Sequence, residues 1–113
     1  LCLRIKKKGG KIFIITNSKV HHLGAQAVDD KHSEEIELSR NWHWMWSKLY
    51  FNKKHRGIFI SIFLGLISLL GNFLKYSVCL LTFNKKRNIY MMRMLGSINA
   101  LMGRQSWYRP EIN

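Results

Sequence analysis

From Ile58 to Phe83 the chain carries a single charge, Lys75, and none at all as far as Leu74. No other feature limits the fold so strongly, because such a stretch must be covered either by protein or by lipid. A helix needs about 20 apolar residues to cross the hydrocarbon of a membrane, so the length permits a span. Two features argue against a simple one. Both flanks are basic, Lys53–Arg56 before it and Lys85–Arg87 after it, so neither end is preferred for the far side. The stretch also has a stripe: Ser61, Gly65, Ser68, Asn72, Lys75, Cys79 and Thr82 follow one another at alternating steps of four and three. That spacing gathers small and polar residues on one narrow helical face, with Gly71 and Ser77 falling off it. A helix so built presses its groove on a neighbouring helix and turns its apolar side to lipid. Alternatively it lies in the membrane plane, with Lys75 reaching the headgroups. The plain competitor is the core helix of a soluble bundle, but a chain of 113 residues has little other apolar surface to cover so wide a face.

The net charge of +13 narrows the partners to polyanions: nucleic acid, anionic lipid or phosphate-bearing substrates. Its spread says more than its sum. Residues 1–27 carry Arg4, Lys6, Lys7, Lys8, Lys11 and Lys19 and no acid, while Asp29, Asp30, Glu34, Glu35 and Glu37 sit together. Opening on Leu1 in the middle of a helical pattern predicts a cut chain, and no signal peptide is expected at the start.

Along the chain, Leu1–Lys8 reads as the last turns of a helix stopped by Gly9-Gly10. Lys11–Thr16 is dense in β-branched and aromatic residues and reads as a strand, with Lys19–Leu23 a second short one after the Asn17-Ser18 turn. Gly24 to Lys31 reads as a loop. A long helix follows from near Ser33, with acids at its start and Lys48, Lys53 and Lys54 at its end, as a helix dipole favours. Arg56-Gly57 interrupts the pattern. Further helices are expected over Ile58–Phe83 and Lys85–Met102, the last ended by Gly103.

The segment Arg40–Ser47 is in conflict with itself. Trp42, Trp44 and Trp46 alternate like a strand, yet Leu38, Trp42, Met45, Trp46 and Leu49 fall at helical spacing. The helical flanks decide for a helix, which puts Trp42 and Trp46 on one face and Trp44 nearly opposite. The final helix has a broad apolar side built from Ile89, Met91, Met92, Met94, Leu95, Ile98, Leu101 and Met102. Expected at a membrane interface are Trp42, Trp44, Trp46 and Trp107 with Lys53, Lys54, Arg56, Lys75, Lys85, Lys86 and Arg87.

Residues able to carry chemistry are few. His21-His22 follows the strand, and alternation allows only one ring to face a given pocket. His32, His43 and His55 have no partner at ligand spacing. Cys2 and Cys79 are too few and too far apart for a disulfide framework or a zinc site. No phosphate-cradling glycine loop, nucleophile arrangement or paired carboxylates is present. By its own residues the chain is not a self-sufficient enzyme.

The opening residues do resemble a known family. A helix ending in Leu3-Arg4, a glycine, the strand KIFIIT and then Val20, His22 and Gly24 as a Val-x-His-x-Gly step resemble the close of the catalytic domain in family 2 glycosyltransferases. RNWHWMWSKLYFNKKHRG and GRQSWYRP resemble the carboxyl-terminal extension of bacterial, rhamnosyltransferase-like members that build cell-surface polysaccharide. The resemblance implies a GT-A domain that transfers a sugar from a nucleotide-sugar donor to a lipid-linked or polysaccharide acceptor. It implies a divalent metal, Mg or Mn, held by an Asp-x-Asp motif, and a further aspartate as base. His22 would then sit by the metal and diphosphate, and Arg4 near the donor–acceptor cleft. The Asp-x-Asp motif is not among these residues, so the fragment alone is expected to bind no cofactor and to be inactive.

The expectation is therefore a mostly α chain. Residues 1–31 would be the remnant of a GT-A domain with a short β hairpin, and 32–113 about three helices forming a membrane-associated extension. The extension would seat the enzyme on the cytoplasmic face of the bacterial inner membrane, against anionic lipid. A small basic membrane-interface protein without catalysis is the alternative. A nucleic-acid-binding module fits less well, because the aromatics adjoin long apolar runs rather than a polar face.

Overall fold

The computed structural model describes residues 2–21 and 32–109. The chain is mostly helical: α1 is Cys2–Lys7, α2 Ser33–Arg56, α3 Ile58–Leu81 and α4 Arg87–Leu101. Helices α2, α3 and α4 pack on one another, and α2 against α4 is the broadest contact. α1 buries none of its residues.

The boundaries follow local chemistry. α2 opens with Glu34 and Glu35 and closes with Lys53, Lys54, His55 and Arg56, each sign at the helix end whose partial charge it offsets. A single residue, Gly57, joins it to α3. Its φ of 95° and ψ of 164° lie where only glycine is at ease. α1 and α4 both end with Schellman bonding. Gly10 N–H donates to the Ile5 carbonyl at 2.9 Å, and Arg104 N–H to the Asn99 carbonyl at 3.1 Å. α3 ends the same way, Asn84 N–H reaching the Cys79 carbonyl at 2.9 Å, but with Phe83 rather than glycine at the left-handed position.

The expected strand over Lys11–Thr16 does not form: there is no strand among the described residues. Ile14 is 89 % exposed, and Phe13 and Ile15 are also open to solvent. A strand gains its stability from a paired neighbour and a buried face, and this segment has neither. The expected second strand reaches residues outside the described ones.

Within the three-helix unit the polarity is inverted. α3 buries Ser61, Gly65 and Asn72, and α4 buries Gly96, Ser97 and Asn99. The stripe on α3 thus turns inward over its first half, while Lys75 and Thr82 stay exposed. Ser61 Oγ donates across the interface to the Leu49 carbonyl at 2.9 Å. Asn72 Nδ2 and Ser97 Oγ donate to carbonyls one turn back, Ser68 and Arg93. No buried side-chain nitrogen or oxygen among the described residues lacks a partner.

Large apolar groups lie outside. Phe59, Phe63, Leu66, Leu70, Leu74 and Leu81 are all exposed, and only 17 % of the apolar window of α3 is buried. Only α2 has the usual arrangement, burying Leu38, Trp42, Met45 and Leu49. On α4, Leu95, Ile98 and Met102 of the expected apolar side face out. Small residues inside and apolar ones outside are what helix packing in lipid selects, because lipid removes the penalty on outward leucine and rewards close backbone approach.

Candidate functional site

The two segments given for the carboxyl-terminal resemblance, 40–57 and 103–110, meet in space through residues 42–46 and 104–108. α2 presents Trp42, His43 and Trp46 along one side, and the chain leaving α4 turns back across them. His43 Nε2 lies 2.8 Å from the Tyr108 carbonyl oxygen, an atom that can only accept, so in the neutral ring Nε2 carries the proton. Nδ1 then accepts from Ser106 Oγ at 2.9 Å. Trp46 Nε1 donates to the Arg104 carbonyl at 3.0 Å. From α4, Asn99 holds the same turn twice: its Nδ2 donates to the Gln105 carbonyl at 3.0 Å, and its Oδ1 accepts from Trp107 Nε1 at 3.1 Å.

Aromatic contacts complete the clasp. Trp42 stacks on Tyr108 with centroids 5.8 Å apart and meets Trp107 edge-on at 5.9 Å. On its other side Trp42 reaches α4 at Gly96, where a β-carbon would run into the Trp42 carbonyl oxygen. Trp42 is 1 % exposed. Expected at a membrane interface, Trp42 is instead found inside the helical unit, on the side of α2 nearly opposite Trp44, where the tail covers it. Trp44 and Trp107 are exposed, and Trp46 is half-buried.

Beside the clasp a cleft of about 600 Å³ opens between the end of α2 and the turn after α4. Trp46, Tyr50, Lys53, Lys54 and Arg104 line it together with Ser106, and no acid among the described residues does. Lys53 Nζ reaches the turn itself, 4.0 Å from where a β-carbon on Gly103 would stand. Trp46 and Tyr50 stack face to face, 5.0 Å apart and 10° from parallel, with Lys54 Nζ 6.0 Å from the Tyr50 centroid.

The other expected site residues are scattered. Arg4 lines a separate open cleft with Tyr50, Phe51, Lys54 and His55. His22, the expected metal and diphosphate neighbour, lies outside the described residues, and His21 is exposed. Lys75 Nζ sits 5.9 Å from the Tyr90 ring centroid, tying α3 to α4. Lys85, Lys86 and Arg87 are exposed at the opposite end of α3 from Lys53, Lys54 and Arg56. Among the described residues no three His, Cys, Asp or Glu side chains gather to hold a metal. The donor set implied by the resemblance is not found among the described residues, and no step through a metal is assigned to them.

Sequence reading missed the clasp. His43 is separated from Ser106 by 63 residues, and the tail has no periodicity to mark its partner. The one available signal was compositional: tryptophan, serine and arginine recur in both segments. Comparison of the chain with known protein families, with curated proteins and with solved structures finds no match.

Proposed function

We propose that the chain is the carboxyl-terminal part of a membrane-associated family 2 glycosyltransferase, in which α2–α4 seat the enzyme on the membrane. The inverted polarity of the α2–α4 unit carries the membrane half of this reading. α3, at 24 residues and 1.5 Å per residue, is about 36 Å long, and its exposed side is almost wholly Phe, Leu, Ile and Val.

The neighbours of α3 favour an in-plane seat over a span. α2 and α4 cover its small-residue side and bring Glu37, Arg40 and Arg93 with them. A span would draw such charges towards hydrocarbon, at about 2.5–3.5 kcal/mol each near the centre. Lying flat leaves them on the water side, with the basic clusters at both ends of α3 at headgroup depth. There each contributes about 1 kcal/mol towards anionic lipid. The resemblance makes that surface the cytoplasmic face of the bacterial inner membrane.

The enzymatic half rests on the residues that resemble the family. Its support is that RNWHW and SWYR, distant in sequence, form one clasp and so belong to one unit. In this reading the transfer itself, from nucleotide sugar to a lipid-linked or polysaccharide acceptor, uses acids that this chain does not carry. A small basic membrane-interface protein without catalysis shares the inverted bundle and drops the enzyme.

Two experiments test the halves separately. Flotation of the purified chain on vesicles containing anionic lipid should carry it to the top of a gradient; a chain left at the bottom removes the membrane half. Reading the coding DNA upstream of Leu1 tests the other. An open frame holding an acidic pair and an earlier Asp-x-Asp supports the transferase, whereas a stop or start codon there leaves only the membrane-interface protein.

A further inference from the structure

We propose that the cleft between the end of α2 and the turn after α4 binds a phosphate group, with Lys53, Lys54 and Arg104 as its cations. The electrostatics are one-sided. Helices α2 and α4 both end here, and each carboxyl-terminal end contributes about half a negative charge. That offsets about one of the three cations and, among the described residues, leaves about two positive charges uncompensated. The acids Glu34, Glu35 and Glu37 stand at the far end of α2. Sixteen residues separate Glu37 from Lys53, about 24 Å along a helix and well beyond the screening length of about 8 Å in physiological salt. A phosphate monoester carries about −1.5 to −2 charges and matches what is left over.

The site is also held in shape. The turn that supplies Arg104 is fixed by Trp46 Nε1 on its carbonyl and by Asn99 on the Gln105 carbonyl. Those two carbonyl oxygens are thereby engaged, while the Arg104 side chain lines the cleft. Arginine offers a planar fork to phosphate oxygens and lysine a mobile point charge, so the set suits a tetrahedral anion. The stacked Trp46–Tyr50 pair forms one wall, with Tyr50 50 % exposed. Beside a phosphate such a wall accepts the apolar or ring-shaped body to which the phosphate is attached. The ligand class is therefore a phosphate monoester or diphosphate, whether on a lipid headgroup or on a soluble molecule. Only the lipid source rests on the membrane reading above.

The test uses the full chain, labelled with ¹⁵N and held in uncharged maltoside micelles. Inorganic pyrophosphate and short-chain phosphatidic acid are titrated in turn, and the Trp46 indole N–H resonance is followed. A saturable shift is expected. The variant K53Q/K54Q/R104Q should bind at least about tenfold more weakly, as loss of several cations at a phosphate implies. The variant K85Q/K86Q/R87Q, at the other end of α3, should bind as the unaltered chain does. R104Q alone keeps the backbone bonds of the turn and guards against a folding defect, which circular dichroism would reveal. Saturation by pyrophosphate identifies recognition of the phosphate itself; saturation by phosphatidic acid alone identifies a headgroup site. No saturable shift with either probe, or equal weakening by the distant triple variant, overturns the proposal. Flotation on vesicles separates the two readings. Attachment without a shift removes the cleft alone, and a shift without attachment removes the membrane seat alone.

Discussion

The α-carbon of Gly96 in α4 rests against the main chain of Trp42 in α2, so close that a β-carbon there would overlap the Trp42 carbonyl oxygen. Backbone cannot yield as a flexible side chain can. G96A is expected to destabilise the fold by about 1–3 kcal/mol, the usual range for overpacking. G71A, where nothing lies within 4 Å, should instead gain up to about 1 kcal/mol of helix propensity. Thermal unfolding of both in the same detergent checks the pair; equal midpoints would mean the α2–α4 contact is looser than it stands here.

Gly57 joins two long helices in one residue, at φ 95° and ψ 164°. Any β-carbon at that backbone conformation is strained, at about 1–3 kcal/mol. Nothing lies within 4 Å of the β-carbon position, so G57A should destabilise through backbone strain and not through a clash. Denaturant unfolding should show a lower midpoint. The same substitution by Asn should cost about as much, because Asn tolerates the left-handed helical region and not this extended one.

Asn99 is 7 % exposed and bonds both the Gln105 carbonyl and the Trp107 indole. N99L removes both part-buried bonds, at about 0.5–1.5 kcal/mol each, since water can reach the exposed partners. The expected outcome is release of the tail without loss of the helices. Faster proteolysis after α4 with unchanged helical circular dichroism would show it; simultaneous loss of both would mean the clasp holds the whole bundle.

The two faces of α3 should respond oppositely. L66K and L70K change exposed residues and should alter folding stability by no more than about 0.5 kcal/mol, yet strip the chain from vesicles in flotation. Leucine at Ser68 and Asn72, which lie on the stripe, should disturb helix packing while attachment survives. Detachment by the second pair, or none by the first, would reverse the assignment of the faces.

Much of the architecture was legible because helix ends carry local signals. Glu34 and Glu35 mark a start, Arg56-Gly57 a break and Gly103 a stop, and each stands where α2, α3 or α4 begins or ends. A period of 3.6 rather than two set Trp42 and Trp44 on opposite sides of α2, and they are buried and exposed respectively, but which of them faces inward was not read from the sequence. Lys11–Thr16 went wrong because β propensity describes a residue's fit to a sheet and says nothing of whether a sheet is there. On α4 the broad apolar side is only partly inward: Met91, Met92 and Met94 are half-buried, while Leu95 and Ile98 are exposed. The inward residues are Gly96, Ser97 and Asn99, and their importance lies in how near another backbone comes. The basic cleft needed both helix ends and the turn, so Lys53 and Lys54, read as headgroup contacts, did not suggest one pocket with Arg104.

The inward glycines and serines have a consequence for how this chain tolerates change. A saturation mutagenesis map of α3 and α4 should look like the photographic negative of a water-soluble bundle. At Phe59, Phe63, Leu70 and Leu74, exchange among large hydrocarbons should be nearly silent, since no neighbour inspects their shape. At Gly65, under the Leu101 side chain, and at Ser61, Gly96 and Ser97, a single added methyl group should register. Drift would then enlarge the outer residues freely while the inner ones stayed small.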